Sequence, residues 1–68
     1  MELSARNQLS GTITDVKLGT IMAEVTVDIG GQTLVSVITR GSAERLNLKA
    51  GDTVTVIIKA TEVMLGKN

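Results

Sequence analysis

The sequence predicts an all-β domain, a small antiparallel barrel of about five strands with one short helix. Two observations lead there. Apolar residues alternate with polar ones over residues 21–29 and again over 53–60, the period of a half-buried strand. Gly30-Gly31 closes the first of these runs, and both residues accept the positive φ that a tight hairpin needs.

The first strand carries Leu9, Gly11 and Ile13 between Ser10, Thr12 and Thr14. Its phase then slips, so that Val16 and Leu18 hold the apolar positions. A bulge near Thr14-Asp15 accounts for the slip and helps to curve a barrel. The second strand places Ile21, Ala23, Val25, Val27 and Ile29 on one face. Past the glycines, a third strand runs over residues 32–39. Its Leu34, Ser36, Ile38 set and its Val35, Val37 set are both partly apolar, which predicts one face buried in the fold and one against another subunit. Residues 42–46 read as the helix, with Ser42 as N-cap and Asn47 ending it in the left-handed region. Gly51 and Asp52 turn the chain into the strand of Val54, Val56, Ile58 and Ala60. Residues 62–65 offer a short last strand. This order of elements fits a closed barrel of the OB type, with residues 1–68 as one domain.

A chain of 68 residues buries only about 60% of its unfolded surface and is marginal alone. It has no Cys to form disulfides and no Phe, Tyr or Trp to fill a core. Subunit contacts are therefore expected to support folding. The lack of His, Cys and Tyr removes the usual general bases, thiol nucleophiles and phenolic acids, so no enzymatic step is expected. Seven basic and seven acidic residues cancel, which argues against a nucleic-acid partner, as do the missing aromatic stacking platforms. No apolar run approaches a membrane span, and residues 1–6 do not read as a signal peptide. A cytoplasmic location is the expectation.

The remaining chemistry consists of hydroxyls, a few cations and backbone amides near strand ends, which suits a small oxyanion. Ser4 and Arg6, at i and i+2, point the same way in an extended chain. They form either a donor pair or part of a solvated N-terminal strand. Lys59 falls on the solvent side of its strand, as a charge aimed at an anion or as an edge lysine that discourages aggregation. Thr39-Arg40-Gly41-Ser42 feeds a helix N-terminus, suited to anion binding, to capping, or to both. Glu24 and Asp28 read as a solvated face.

Ser4-Ala5-Arg6-Asn7-Gln8-Leu9, with Gly11-Thr12-Ile13, resembles the opening of the molbindins, the small molybdate-binding or Mop proteins. The same module occurs in molybdate-sensing regulators and as the TOBE domain of some transporter ATPases. The resemblance continues through Leu48-Lys49-Ala50-Gly51-Asp52 and Lys59-Ala60-Thr61-Glu62-Val63-Met64, and so covers essentially the whole chain. It implies an OB-like barrel assembled as a homohexamer, a trimer of dimers. It also implies molybdate, with tungstate as analogue, bound between subunits. The family site maps onto Ser4, Arg6, Lys59 and Ala60 from one subunit, with Thr39 and Ser42 from another. Many stand-alone members carry Ser where this chain has Ala60, so only a backbone amide is left to donate there. A second family site, at threefold contacts, falls near Thr20, Met22 and Ala23. The function implied is oxyanion storage and homeostasis. The alternative is a transporter-associated regulatory or scaffold module with no anion of its own.

Overall fold

Alternating side chains build four antiparallel strands in the computed structural model, which describes residues 1–68. They are β1 (Asn7–Leu18), β2 (Met22–Asp28), β3 (Thr33–Thr39) and β4 (Thr53–Ile58). Helix α1 (Arg40–Arg45) lies between β3 and β4, and a 3-10 turn (Ala60–Glu62) follows β4. The sheet order is β3-β2-β1-β4. Its long central strand serves two partners in turn: residues 7–12 of β1 pair with β4, and residues 12–18 pair with β2. The result is a curled half-barrel, all-β apart from its short helix.

Local chemistry sets each change of direction. The register passes from Ile13 opposite Val27 to Asp15 opposite Thr26, which leaves Thr14 as the extra residue of the expected bulge. Gly30 and Gly31 take φ of 82° and 91°, and the Ile29 amide donates to the Gln32 carbonyl at 2.8 Å across the two-residue loop. Asp28 holds that loop by accepting from the Gly31 amide at 2.8 Å. Glu24 lies opposite Lys17, 4.0 Å away, in an exposed pair that adds little stability. Asn47, with φ of 51°, follows the helix in the left-handed region as expected. The turn into β4 is stitched to β1: the Ile13 amide donates to Asp52 and the Gly51 amide donates back to the Ile13 carbonyl, at 2.9 and 2.8 Å.

The core is Ile13, Val25 and Val27, with Val16, Ile29, Ile38, Leu48, Val54 and Val56 around it. Only six of 68 residues are fully buried, few for a domain that must stand by itself. The concave face remains an open apolar groove of about 460 Å³, lined by residues that include Ile13, Val27, Leu34, Leu46, Val56 and Ile58. On the other face of β3, Val35 and Val37 are 54% and 60% exposed.

The all-β antiparallel class with one short helix is as the sequence predicts, and two details differ. The sheet has four strands rather than about five, and it is not closed. Residues 62–65 form no strand: the Glu62 amide bonds back to the Lys59 carbonyl at 2.9 Å, and the resulting turn carries the chain off the sheet. Val63, Met64 and Leu65 are consecutive apolar residues, with no two-residue period to commit them to a face. The helix also starts earlier than expected, at Arg40, and its N-cap is Thr39 rather than Ser42. Thr39 is the last extended residue (φ −68°, ψ 147°), and its Oγ1 accepts from the Ser42 amide at 3.1 Å. Ser42 thus supplies the capped amide and lies within the helix.

Candidate functional site

The β1–β4 register puts Asn7 opposite Ile58. Extending that antiparallel pair by a few residues carries the segment before β1 alongside the segment after β4. Ser4, Ala5, Arg6, Lys59, Ala60 and Thr61 accordingly line one pocket of about 380 Å³. Four residues proposed from sequence therefore meet, Ser4 and Arg6 with Lys59 and Ala60, although the two pairs are 53 or more positions apart in the chain. The chain bends at Ser4 and Arg6, and the strand begins only at Asn7, so an N-terminal strand through Ser4 is not formed. The Gln8 side-chain amide donates to the Ala5 carbonyl at 2.7 Å and ties this bend to β1.

The pocket's chemistry is one-sided. Arg6 and Lys59 take part in neither of the two ion pairs, which join Lys17 to Glu24 and Arg40 to Glu44. No carboxylate lines the pocket. Two unpaired cations sharing a small concavity repel each other and favour a negative guest. Backbone donors lie close by. In the 3-10 turn, Glu62 bonds to Lys59 and Val63 to Ala60, so the amides of Ala60 and Thr61 have no acceptor within the turn.

Thr39 and Ser42 stand elsewhere. Thr39 ends β3 on one edge of the sheet, level with Met22, whereas Lys59 follows β4 on the opposite edge, beyond the far end of β1. The two groups therefore occupy diagonal corners of a single chain. At the Thr39 corner, Thr39 Oγ1 donates to Ser42 Oγ at 2.8 Å. Two hydroxyls carry two protons, so one is used between them and one is left to donate outward. Arg40 beside them is already engaged: its Nη1 donates to the Gly19 carbonyl at 3.2 Å and its Nε lies 3.6 Å from Glu44. It braces the β1–β2 turn.

Of the second-site residues, Thr20 is exposed in that turn and Met22 is 44% exposed at the start of β2. Ala23 is 1% exposed and lies between Leu18 and Ile38 in the sheet, so its methyl group faces the interior. Thr61 is the pocket residue that sequence reasoning passed over. The 3-10 turn that brings it beside Lys59 has no two-residue period, so alternation along the strand does not reveal it.

Residues 3–65, which include both corners, match the family model described as the TOBE domain. The chain belongs to the TOBE domain family. This TOBE domain is 46% identical over 66 residues to molybdenum-pterin-binding protein 1 of Clostridium pasteurianum, an alignment covering 96% of the chain and 97% of the relative. Its fold superposes with a TM-score of 0.94 on a molybdate binding protein from Sporomusa ovata, at 42% identity and covering 98% and 100% of the two chains. It also matches the cytoplasmic molybdate-binding protein ModG, in a form with molybdate bound, with a TM-score of 0.85 and 43% identity. That match covers 88% of this TOBE domain and 43% of the ModG chain. No helix is long and apolar enough to cross a membrane.

Proposed function

We propose that this protein binds molybdate, with tungstate as a like-shaped analogue, for storage and homeostasis in the cytoplasm. The anion undergoes no chemical step. The observation that carries this reading is the meeting of Ser4, Arg6 and Lys59 in one pocket with two unpaired cations and no carboxylate. A tetrahedral dianion presents four acceptor oxygens and no donor, and these side chains answer it with hydroxyl, guanidinium and ammonium donors. The charges of Arg6 and Lys59 match the two negative charges. The metal stays within its oxyanion and needs no protein ligand, so a chain without His or Cys is adequate.

The site is completed between copies of the chain. The Ser4–Lys59 corner is shallow and its donors are exposed, and the spare hydroxyl proton of the Thr39–Ser42 pair lies at the diagonal corner. A neighbouring copy that brings its Thr39 corner against this pocket adds donors and excludes water. The backbone amide of Ala60 serves where a side-chain hydroxyl is lacking. The small buried core, the open apolar groove and the exposed Val35 and Val37 support assembly, which we assign as a hexamer of three dimers. A second site draws on the β1–β2 turn, with Thr20 and Met22 at its surface and Ala23 supplying backbone only.

Calorimetric titration of the purified protein with molybdate, tungstate and sulfate tests this reading. Saturable heats with the first two and none with sulfate are expected. Arg6→Ala should weaken molybdate binding by at least about tenfold, the loss of one hydrogen bond to a charged group. Absence of binding by all three anions would leave a scaffold role in place of storage, and unchanged affinity in Arg6→Ala would move the site elsewhere.

A further inference from the structure

Every side-chain donor lining the Ser4–Lys59 pocket but one has a part in the proposed site. The exception is Thr61. Its hydroxyl, like that of Ser4 in the same pocket, makes no hydrogen bond within the chain, whereas Thr14 and Thr39 donate theirs locally. Its neighbour Ala60 has no side-chain donor to offer. Thr61 is also held in place. It is the middle residue of the 3-10 turn, closed on one side by the Glu62 amide on the Lys59 carbonyl and on the other by the Val63 amide on the Ala60 carbonyl, at 2.9 and 3.4 Å. A β-branched side chain on a fixed backbone has few rotamers, so its hydroxyl loses little freedom when it engages a ligand.

We infer that the Thr61 hydroxyl is a further ligand-binding group, donating a hydrogen bond to the oxyanion held by Ser4, Arg6 and Lys59. This rests on the reading of that pocket given above. The chemistry distinguishes Thr61 from the cations around it. Arg6 and Lys59 attract any dianion through charge, and that attraction is screened by salt at exposed positions. A hydroxyl attracts weakly at a distance and acts through direction and contact, so it favours an anion whose oxygen reaches it. Thr61 is therefore a specificity group that works alongside the charge pair.

The test compares Thr61→Val, which keeps the branched shape and removes the hydroxyl, with Thr61→Ser, which keeps the hydroxyl. Molybdate is the titrant, and Arg6→Ala is run in parallel. Thr61→Val should weaken binding by about tenfold or more, as expected for one lost hydrogen bond to a charged group, and Thr61→Ser should stay close to the parent. The Thr61→Val loss should persist at high sodium chloride, where the contribution of the cations shrinks. Thr61→Ala serves as a second hydroxyl-free variant, and thermal melts confirm that each variant is folded. If Arg6→Ala weakens binding and Thr61→Val does not, the Thr61 assignment fails while the pocket stands. Equal losses in Thr61→Val and Thr61→Ser would also overturn it, because the hydroxyl would then not be the cause. Unchanged affinity in both Arg6→Ala and Thr61→Val would remove the pocket itself as the molybdate site.

Discussion

Gly11→Ala should destabilise the fold through one defined clash. Gly11 sits where β1 passes from pairing with β4 to pairing with β2, and the sheet curls closely over it. A methyl group there would lie 2.5 Å from Val27 Cγ1, 3.0 Å from the Asp28 carbonyl oxygen and 3.0 Å from Ile29 Cγ2. None of these yields easily. Val27 is 2% exposed within the core, and Asp28 is held in register opposite Thr12 and Thr33. Overpacking of this kind costs about 1–3 kcal/mol. Replacing glycine in a strand returns about 0.5–1 kcal/mol of backbone entropy, so the clash wins. At mid-range the net loss is about 1.3 kcal/mol, and at about 4–8 °C per kcal/mol for a domain of this size Tm should fall by roughly 5–10 °C. Far-UV circular dichroism is the suitable probe, since the chain has no aromatic residue for fluorescence. Protein concentration must be held constant, because the proposed assembly would make Tm depend on it. Gly41→Ala is the matched control. Gly41 lies in α1 with nothing within 4 Å of the added carbon, so its Tm should hold or rise. A Gly11→Ala protein that melts at or above the parent would refute the close approach.

Thr39→Val should lower Tm by roughly 4–8 °C, because the Ser42 amide loses its capping acceptor at a cost of about 1 kcal/mol. Thr39→Ser should restore it, and a melt that separates neither variant from the parent would deny Thr39 its capping role. Molybdate affinity should also fall as sodium chloride rises from about 0.1 M to about 1 M, since Arg6 and Lys59 are exposed and the Debye length shrinks from about 10 Å to about 3 Å. Salt-independent affinity in calorimetry would show that these charges do not hold the anion.

Strand identity was legible wherever one face is buried and the other wet. The alternation of residues 21–29 gives β2, and the phase slip after Ile13 gives the bulge. Turn chemistry was equally direct, because Gly30, Gly31, Gly51 and Asn47 take the positive φ their positions demand. The N-cap lies three residues before the one the sequence points to, at Thr39 rather than Ser42. A cap depends on which residue ends the strand, and Thr39 and Ser42 are both competent caps by type. Residues 62–65 were misread because three apolar side chains suit a strand, and only the 3-10 turn shows the chain leaving the sheet. Four of the six pocket residues, Ser4, Arg6, Lys59 and Ala60, were legible as candidates, grouped by the family resemblance and not by periodicity. The pocket's closure was not, since the distance in space between Ser4 and Lys59 depends on a register that no local pattern encodes.

Composition settled a good deal by itself. A chain without imidazole, thiol or aromatic groups, and with balanced charge, has hydroxyls, amides and a few cations left for function. Periodicity settled the strands, because burial on one face selects a period of two. The tertiary structure alone decided which donors become neighbours. Antiparallel pairing of Asn7 with Ile58 brings Ser4 and Arg6 to Lys59 and Thr61, while the sheet order sends Thr39 and Ser42 to the opposite corner. Strand pairing is a long-range choice made by the packing of the whole sheet, so it appears only when the chain is folded.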